Sequence, residues 1–255
     1  MNSAELISSR DNPLLQRIRK LADTGAGRKL GQVWLEGDHL VSAALQRGFR
    51  LQALVMTEAA WHQRVDWRLW STQAERTVQV TPALFRTLSG LESPAAVGAV
   101  MALPAQPAIR AEAFTVVLDR LQDAGNVGSI LRSAAAFGVT QVLAIKGTAG
   151  LWSPKVLRAG MGAHFGLQLV EGLQADDLAE LAVPLLATSS HASHQLGQDP
   201  LPWPCAWVLG HEGQGVSPAL MAHCHHTVAI PQPGGEESLN VAAAAAVCLF
   251  ASRRA

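Results

Sequence analysis

At 255 residues the chain is long enough for one large domain or two ordinary ones with a properly buried core. Its 49% hydrophobic and 16% charged residues exclude a disordered chain, and no apolar run reaches the roughly 18 residues of a membrane span. The formal net charge of zero excludes a strongly basic nucleic-acid footprint over the whole chain, although residues 1–110 carry 13 Lys and Arg against 9 Asp and Glu and residues 111–255 carry 7 against 11. The opening MNSAELISSRDNP has no signal-peptide core, and three scattered cysteines, Cys205, Cys224 and Cys248, fit a reducing compartment, so a cytoplasmic protein is expected. Of the 20 basic residues 16 are arginine, which suits phosphate recognition and follows equally from arginine-rich codon usage.

The first helix is expected from Asn12 as cap and Pro13 as first residue, with Leu14, Leu15, Ile18 and Leu21 on one face and Gly25 beyond its end. Its other face carries Arg17, Arg19 and Lys20, with Arg10 just before it. These four residues are candidates for contact with RNA or, more simply, form a solvated face. Then follow a strand over Gln32–Glu36, a helix over Asp38–Arg47 capped by Asp38, and a strand over Leu51–Thr57. A Trp-rich helix over Ala59–Trp70, a strand over Thr77–Val80, a helix opened by Thr81-Pro82 and a strand over Ala96–Ala102 complete an α/β domain. The spacing of Trp61, Trp67 and Trp70 suits packing on a sheet, with base stacking as the alternative. The run Leu103–Ala113, with two prolines and no apolar period, reads as a linker, which sets boundaries at 1–105, 106–113 and 114–255.

A buried-type strand over Phe114–Leu118 then opens into the polar loop Asp119–Gly125, a helix capped by Asn126 and ended by Gly138, and a strand over Thr140–Ile145. Alternation continues through a helix over Pro154–Met161, a strand over Leu167–Val170, a helix over Ala175–Ala182 and a strand over Pro184–Thr188. Two apolar runs follow, Ala206–Leu209 and Thr227–Ile230, each breaking into a glycine-rich polar loop, and an alanine-rich helix starts after Asn240. In a parallel α/β sheet ligands bind at the carboxyl ends of the strands. The loops at Asp119–Asn126, Thr188–His194, Gly210–Gly215 and Pro231–Asn240 all lie there, and one site is expected.

Several chemistries find no support. The turn DRLQDAGNVGS has only Gly125 and Gly128 of a G-x-G-x-x-G dinucleotide fingerprint, and there is neither a P-loop nor a G-x-S-x-G nucleophile elbow. His223-Cys224-His225-His226, with His191, His194 and His211 elsewhere, matches no common zinc spacing, and no metal is expected. Arg132, mid-helix among alanines, is either a snorkelling surface residue or a fixed cation for a phosphate or an oxyanion.

Three segments together resemble the SpoU (TrmH-like) branch of the SPOUT RNA methyltransferases. They are LDRLQDAGNVGSILRSAAAFGV with Asn126, Gly128 and Arg132, WVLGHEGQGVS with Gly210, Glu212, Gly213 and Gly215, and IPQPGGEESLNVAAAAAV with Ile230, Pro231, Gly235, Glu237, Ser238, Leu239 and Asn240. KVLRAGMGAHFGL is similar to the family's intervening segment, and ISSRDNPLLQRIRKL with VWLEGDHLV resembles a ribosomal-protein-like substrate-binding domain. The resemblance implies an α/β protein whose C-terminal parallel-sheet domain carries a deep trefoil knot, preceded by a smaller α/β RNA-binding domain. It implies methyl transfer from S-adenosylmethionine to a ribose 2′-hydroxyl of structured RNA, 23S-type ribosomal RNA first, by a homodimer. Arg132, Asn126, Glu212, Ser238 and Asn240 would then be catalytic, and Thr188, Gly210, Ile230, Gln232 and Leu239 would enclose the cofactor. A tRNA 2′-O-methyltransferase, or a non-catalytic RNA-binding or ribosome-assembly factor on the same fold, is the alternative.

Overall fold

The computed structural model describes residues 4–23, 26–189, 192, 194–234 and 238–252. In chain order the first elements are β1 (Glu5–Ile7), α1 (Pro13–Asp23), α2 (Gly27–Leu30), β2 (Gln32–Glu36), α3 (Asp38–Gln46), β3 (Leu51–Thr57), α4 (Glu58–Gln63), α5 (Val65–Leu69), β4 (Ala74–Val80), α6 (Pro82–Arg86) and β5 (Val97–Ala102). Then come β6 (Thr115–Leu118), α7 (Ala124–Ala136), β7 (Gln141–Ile145), α8 (Pro154–Gly160), β8 (Gln168–Leu173), β9 (Leu185–Thr188), β10 (His194–Gln195), β11 (Ala206–Leu209), α9 (Pro218–Met221), β12 (His226–Ala229) and α10 (Val241–Ser252). The chain divides into two compact units, residues 1–105 with 152–165, and residues 106–151 with 166–255. The segment 152–165, which the sequence boundaries assign to the second domain, thus packs within the first unit, where Leu157 and Phe165 join its core.

The first unit is built on a five-stranded mixed sheet in the order β1-β4-β3-β5-β2, with β3 parallel to β4 and antiparallel to β5. The two-residue period of a strand divides its side chains between two cores. Trp34, Ala53, Val55 and Val100 face Leu15, Ile18 and Leu21 of α1 on one side. Val33, Leu35, Leu54, Met56 and Met101 face Leu40, Val41 and Ala44 of α3 on the other. Asn12 caps α1 as expected, its Oδ1 accepting the Leu14 N–H at 2.9 Å, while Gly25 lies outside the described residues.

Two expectations in this unit are corrected. Gly37, at φ +98°, occupies the cap position of α3, so Asp38 sits in the first turn. The Trp-rich helix, whose start Thr57 caps with its Oγ1 accepting the Ala60 N–H at 3.2 Å, breaks at Arg64, where the backbone leaves the helical region at φ −105° and ψ 82°, into α4 and α5 followed by a 3-10 turn at Trp70–Gln73. Trp67 is buried and Trp61 and Trp70 are half-buried against the same core, so the tryptophans pack on the sheet. Strand β1 and helix α2 have no sequence signal strong enough to announce them, having three and four residues.

The second unit carries a seven-stranded sheet in the order β10-β12-β9-β11-β6-β7-β8, every neighbouring pair parallel. Strands buried on both faces read as continuous apolar runs, and β6, β7 and β11 are buried at every position. The linker-like segment is pinned here. Arg110 donates its backbone N–H to Gln141 Oε1 at 2.7 Å, the Gln141 amide returns a bond to the Arg110 carbonyl at 3.2 Å, and Ile109 packs on the core. The expected helix over 175–182 is a 3-10 turn, Ala175–Glu180, closed by reciprocal bonds between Gln174 and Asp177. Helix α10 is held to the sheet by Trp207, fully buried, whose Nε1 donates to Ser252 Oγ at 2.8 Å.

Gly98 is the most closely approached of the described glycines in the first unit, since a Cβ there would lie 2.3 Å from the Trp34 ring and 2.9 Å from the Leu35 carbonyl oxygen. Gly98→Ala is therefore expected to destabilise the protein by about 1–3 kcal/mol through overpacking, read as a lower urea midpoint with unchanged slope.

Candidate active site

The site begins at the end of β6. Asp123, in extended conformation, accepts the Asn126 N–H on Oδ1 at 2.7 Å and so caps α7. The sequence expectation gave that task to Asn126. With the helix starting at Ala124, Asn126 stands in its first turn and its amide is free for other partners. Asn126 Nδ2 donates to Glu212 Oε1 at 3.2 Å, and Asn126 Oδ1 accepts from Asn240 Nδ2 at 3.0 Å. Asn240 in turn caps α10, its Oδ1 accepting the N–H groups of Ala242 and Ala243 at 2.9 and 3.2 Å.

These bonds fix a direction. The helix end offers only donors, so the Asn240 oxygen must face α10 and its NH2 must face Asn126. Asn126 then presents its own NH2 to Glu212, which must accept. Partial burial pushes the Glu212 carboxyl up, but bonds from its own backbone N–H, the Asn126 amide and the N–H groups of Asp123 and Gln122 outweigh that effect. The group titrates below the ordinary carboxylate range and is anionic near neutrality.

Glu212 rides on a pinched loop after β11. His211 and Gly215 exchange two backbone bonds, at 3.0 and 2.8 Å. Two glycines make the pinch possible. A Cβ on Gly210 would meet Gly215 C and Val216 N at 2.1 Å, and Gly215 adopts φ +67°. The loop walls a cavity of about 350 Å³ at the carboxyl ends of β9, β11 and β12. Val216, Val228, Ile230, Leu239 and Ala244 form its apolar surface, and Thr188, Ser189, Gly210, Gln232, Ser238 and Asn240 supply polar groups. Gln232 Oε1 is buried and has no hydrogen-bond partner among the described residues, an acceptor that awaits a donor.

The structure thus brings together Thr188, Gly210, Ile230, Gln232 and Leu239 with Glu212, Ser238 and Asn240 around one cavity, and joins Asn126 to them by two hydrogen bonds. Arg132 stands apart. It is exposed on α7, does not line the cavity, and forms no hydrogen bond or ion pair among the described residues. Gly235, Glu237 and His191 lie outside the described residues. Sequence reasoning missed Ser189, His211, Val216, Val228, Val241 and Ala244 as lining residues. Two had a signal: Val228 shares a strand face with Ile230 at two residues' spacing, and Ala244 lies one helical turn beyond Asn240.

On α1, Arg10, Arg17 and Lys20 are exposed, whereas Arg19 is half-buried and donates to the Arg10 carbonyl, which makes it a tie for the segment before the helix. The histidine run diverges. His225 Nδ1 accepts the Leu185 N–H at 3.1 Å, His223 approaches Asp176 at 3.5 Å, and His226 lies edge-on to His194. Burial raises the Cys205 and Cys248 thiols to about 12 and Cys224 to about 11, so none offers a thiolate near neutrality.

Residues 113–250 match the SpoU rRNA Methylase family, and residues 12–99 match the MRM3-like substrate binding domain. A Synechocystis protein described as an uncharacterized tRNA/rRNA methyltransferase is 33% identical over 97% of this chain and 93% of its own length. The Bacillus subtilis 23S rRNA (guanosine(2553)-2′-O)-methyltransferase RlmP is 28% identical over 96% of this chain and 97% of its own. Among solved structures, the SpoU methyltransferase AviRb from Streptomyces viridochromogenes, in complex with AdoMet, superposes with a TM-score of 0.82 at 26% identity, covering 94% of this chain and 96% of that one. With more than half its length matched by the family and its cavity built from the strand-end loops that carry the family's motifs, the chain is a member of the SpoU rRNA methylase family.

Proposed function

We propose that this protein transfers the methyl group of S-adenosylmethionine to a ribose 2′-hydroxyl of ribosomal RNA. The observation that carries the proposal is the cavity of about 350 Å³ with an unpartnered Gln232 oxygen inside and the directed Asn240–Asn126–Glu212 chain at its rim. The donor set fits the cofactor. Ile230, Val228 and Leu239 offer apolar contact to an adenine ring, backbone groups at Thr188 and Gly210 offer hydrogen bonds, and Gln232 Oε1 accepts from an amino group. When bound, S-adenosylmethionine would supply a methyl group on a positively charged sulfur, open to in-line attack by an oxygen nucleophile with the neutral thioether as leaving group.

The chain's own residues position that oxygen. Ser238 and Asn240 at the rim orient the ribose hydroxyl, and Asn126 holds Asn240 and Glu212 in register. Glu212, already ionised and engaged as an acceptor, is a weak base, and its task is to brace Asn126. Arg132, a permanent cation outside the cavity of its own chain, is carried by the exposed α7 stripe to the cavity of a partner protomer. There it grips the phosphate beside the target ribose and steadies negative charge on the attacking oxygen, whose proton passes to an RNA phosphate or to water.

In this reading residues 1–105 hold the RNA, with Arg10, Arg17 and Lys20 of the α1 region facing phosphate and Arg19 tying them in place, residues 106–113 link, and residues 114–255 transfer the methyl group. The ribosomal substrate is supported by the match to a substrate binding domain and by the RlmP relative. A homodimer is supported by an apolar face: Val247 and Phe250 on α10 are 41% and 54% exposed, and Phe250 meets Phe137 edge-on at 5.9 Å. Beside it, α7 exposes Gly125, Ser129, Arg132 and Ala136, a stripe narrow enough for close helix packing that includes the arginine. The position of β11 between β6 and β9 supports the knotted path that the family resemblance implies. The free thiols at Cys205, Cys224 and Cys248 support a reducing, cytoplasmic setting.

Arg132→Ala is expected to lower methyl transfer to ribosomal RNA by about a hundredfold or more while calorimetric affinity for S-adenosylmethionine is retained; wild-type-like transfer would refute the assignment. Gln232→Leu should weaken cofactor binding by about tenfold, because the apolar side chain offers no acceptor. Phe250→Glu should shift the protein toward monomer in sedimentation analysis. The ordinary Glu212 value is 4.5 and the folded one is lower, so its bracing is fully present above 4.5 and is lost as pH falls through the folded value. A pH–rate profile from about pH 5 to 8 therefore carries no inflection from Glu212, and Glu212→Gln lowers the profile without changing its shape.

A further inference from the structure

Asp119 and Arg120, just beyond β6, lie outside the cavity yet touch the loop that walls it at two points. Asp119 has a side-chain exposure of 0%, and a buried carboxylate persists only when its oxygens are partnered. Oδ2 accepts the Ser217 N–H at 2.6 Å and Oδ1 accepts Arg120 Nε at 3.0 Å. Ser217 ends the Gly210–Val216 loop and caps α9, so the carboxylate secures the loop's trailing end. Arg120 then reaches across with Nη1 to Gln214 Oε1 at 3.2 Å, near the loop's tip.

The backbone of Arg120 adopts φ +57°, a left-handed conformation that side chains other than glycine seldom hold unless the surroundings impose it. Those surroundings are visible. Its stem runs over Gly147, where a Cβ would come within 3.3 Å of Arg120 Cγ. The turn is tied down by Thr148 Oγ1 to the Leu118 carbonyl at 3.0 Å and by the Ala149 N–H to the Leu121 carbonyl at 2.7 Å. A relaxed Arg120 backbone would aim the guanidinium elsewhere and lose one of its two contacts.

We infer that the Asp119–Arg120 ion pair is a positioning device for the methyl donor: it holds both the tip and the trailing end of the Gly210–Val216 loop and thereby sets the affinity of the cavity. The affinity part rests on the S-adenosylmethionine reading of that cavity; the loop-holding part stands on geometry alone. Neither residue touches the reacting groups. A merely structural pair and a positioning pair differ in what Arg120→Gly does. Glycine accepts φ +57° without strain, which offsets only part of the cost of leaving buried Asp119 Oδ1 without the guanidinium, so the thermal midpoint falls. Exchange and affinity are therefore read well below that midpoint, where a merely structural loss leaves the loop's exchange and the cofactor affinity unchanged.

The test compares wild type, Arg120→Gly, Arg120→Lys and Gln214→Ala by amide hydrogen exchange without ligand and by calorimetry with S-adenosylmethionine. Expected are about tenfold faster exchange at Gly213, Gly215 and Ser217 in Arg120→Gly, about tenfold weaker cofactor binding, and a raised KM for the cofactor with KM for RNA unchanged. Gln214→Ala should move the same readouts less, and Arg120→Lys should restore only part, since one ammonium cannot span both acceptors. Unchanged exchange in Arg120→Gly would overturn the loop-holding role, and faster exchange with unchanged affinity would overturn the link to the cofactor. A wild type that binds no S-adenosylmethionine but shows the exchange difference would overturn the affinity claim together with the cavity reading, and would leave the clamp itself established.

Discussion

Four neighbouring strands of the second sheet, in the order β12-β9-β11-β6, run parallel, and this one constraint assembles the site. Parallel strands deliver their following loops to the same edge. The segments after Leu118, Thr188, Leu209 and Ala229 are therefore neighbours in space although up to about a hundred residues separate them in the chain. Had any of these strands run antiparallel, its loop would open at the opposite edge and the cavity would lose a wall. The cavity is thus a property of strand direction before it is a property of any side chain.

On that edge, helix ends serve two purposes. Asp123 and Asn240 satisfy the orphan N–H groups that begin α7 and α10, and the same bonds orient the polar groups of the site. Because Asp123 caps, Asn126 is released; because the Asn240 oxygen caps, its NH2 is the only part left to meet Asn126. Polarity then runs one way to Glu212, whose low titration range follows from the donors around it. The pinched Gly210–Val216 loop and the Asp119–Arg120 pair beneath it keep the last member of that chain in place. Rigid positioning of this kind is what a displacement at carbon demands, since misalignment of the attacking oxygen raises the barrier steeply.

Much of this was legible in the residues. The buried strands announced themselves as apolar runs, and the loops at their carboxyl ends as clusters of glycine and polar residues. All five residues that the family resemblance assigned to the cofactor line one cavity. The misreadings have local causes. Asn126 and Asp123 are both good cap residues within one turn, and only the helix start, set by packing of Val127 and Ile130, separates them. The tryptophan helix carried an unbroken helical pattern, but the non-helical backbone at Arg64 divided it. Strands as short as β1 and β10, with three and two residues, exist because a longer neighbour offers an edge, which no local pattern records.

By itself the sequence determined which side chains were available and on which loops: the glycines that permit the pinch, the asparagines and glutamate that bond in series, and the apolar strands that bury them. Only the tertiary structure decided that β11 lies between β6 and β9, that residues 152–165 pack within the first unit, that Arg132 does not line the cavity of its own chain, and that Arg120 is held at φ +57°. The physical reason is range. Caps, turns and amphipathic periods act within a few residues and can be read along the chain, whereas strand order and a forced backbone angle depend on which distant surfaces meet once the apolar area is buried.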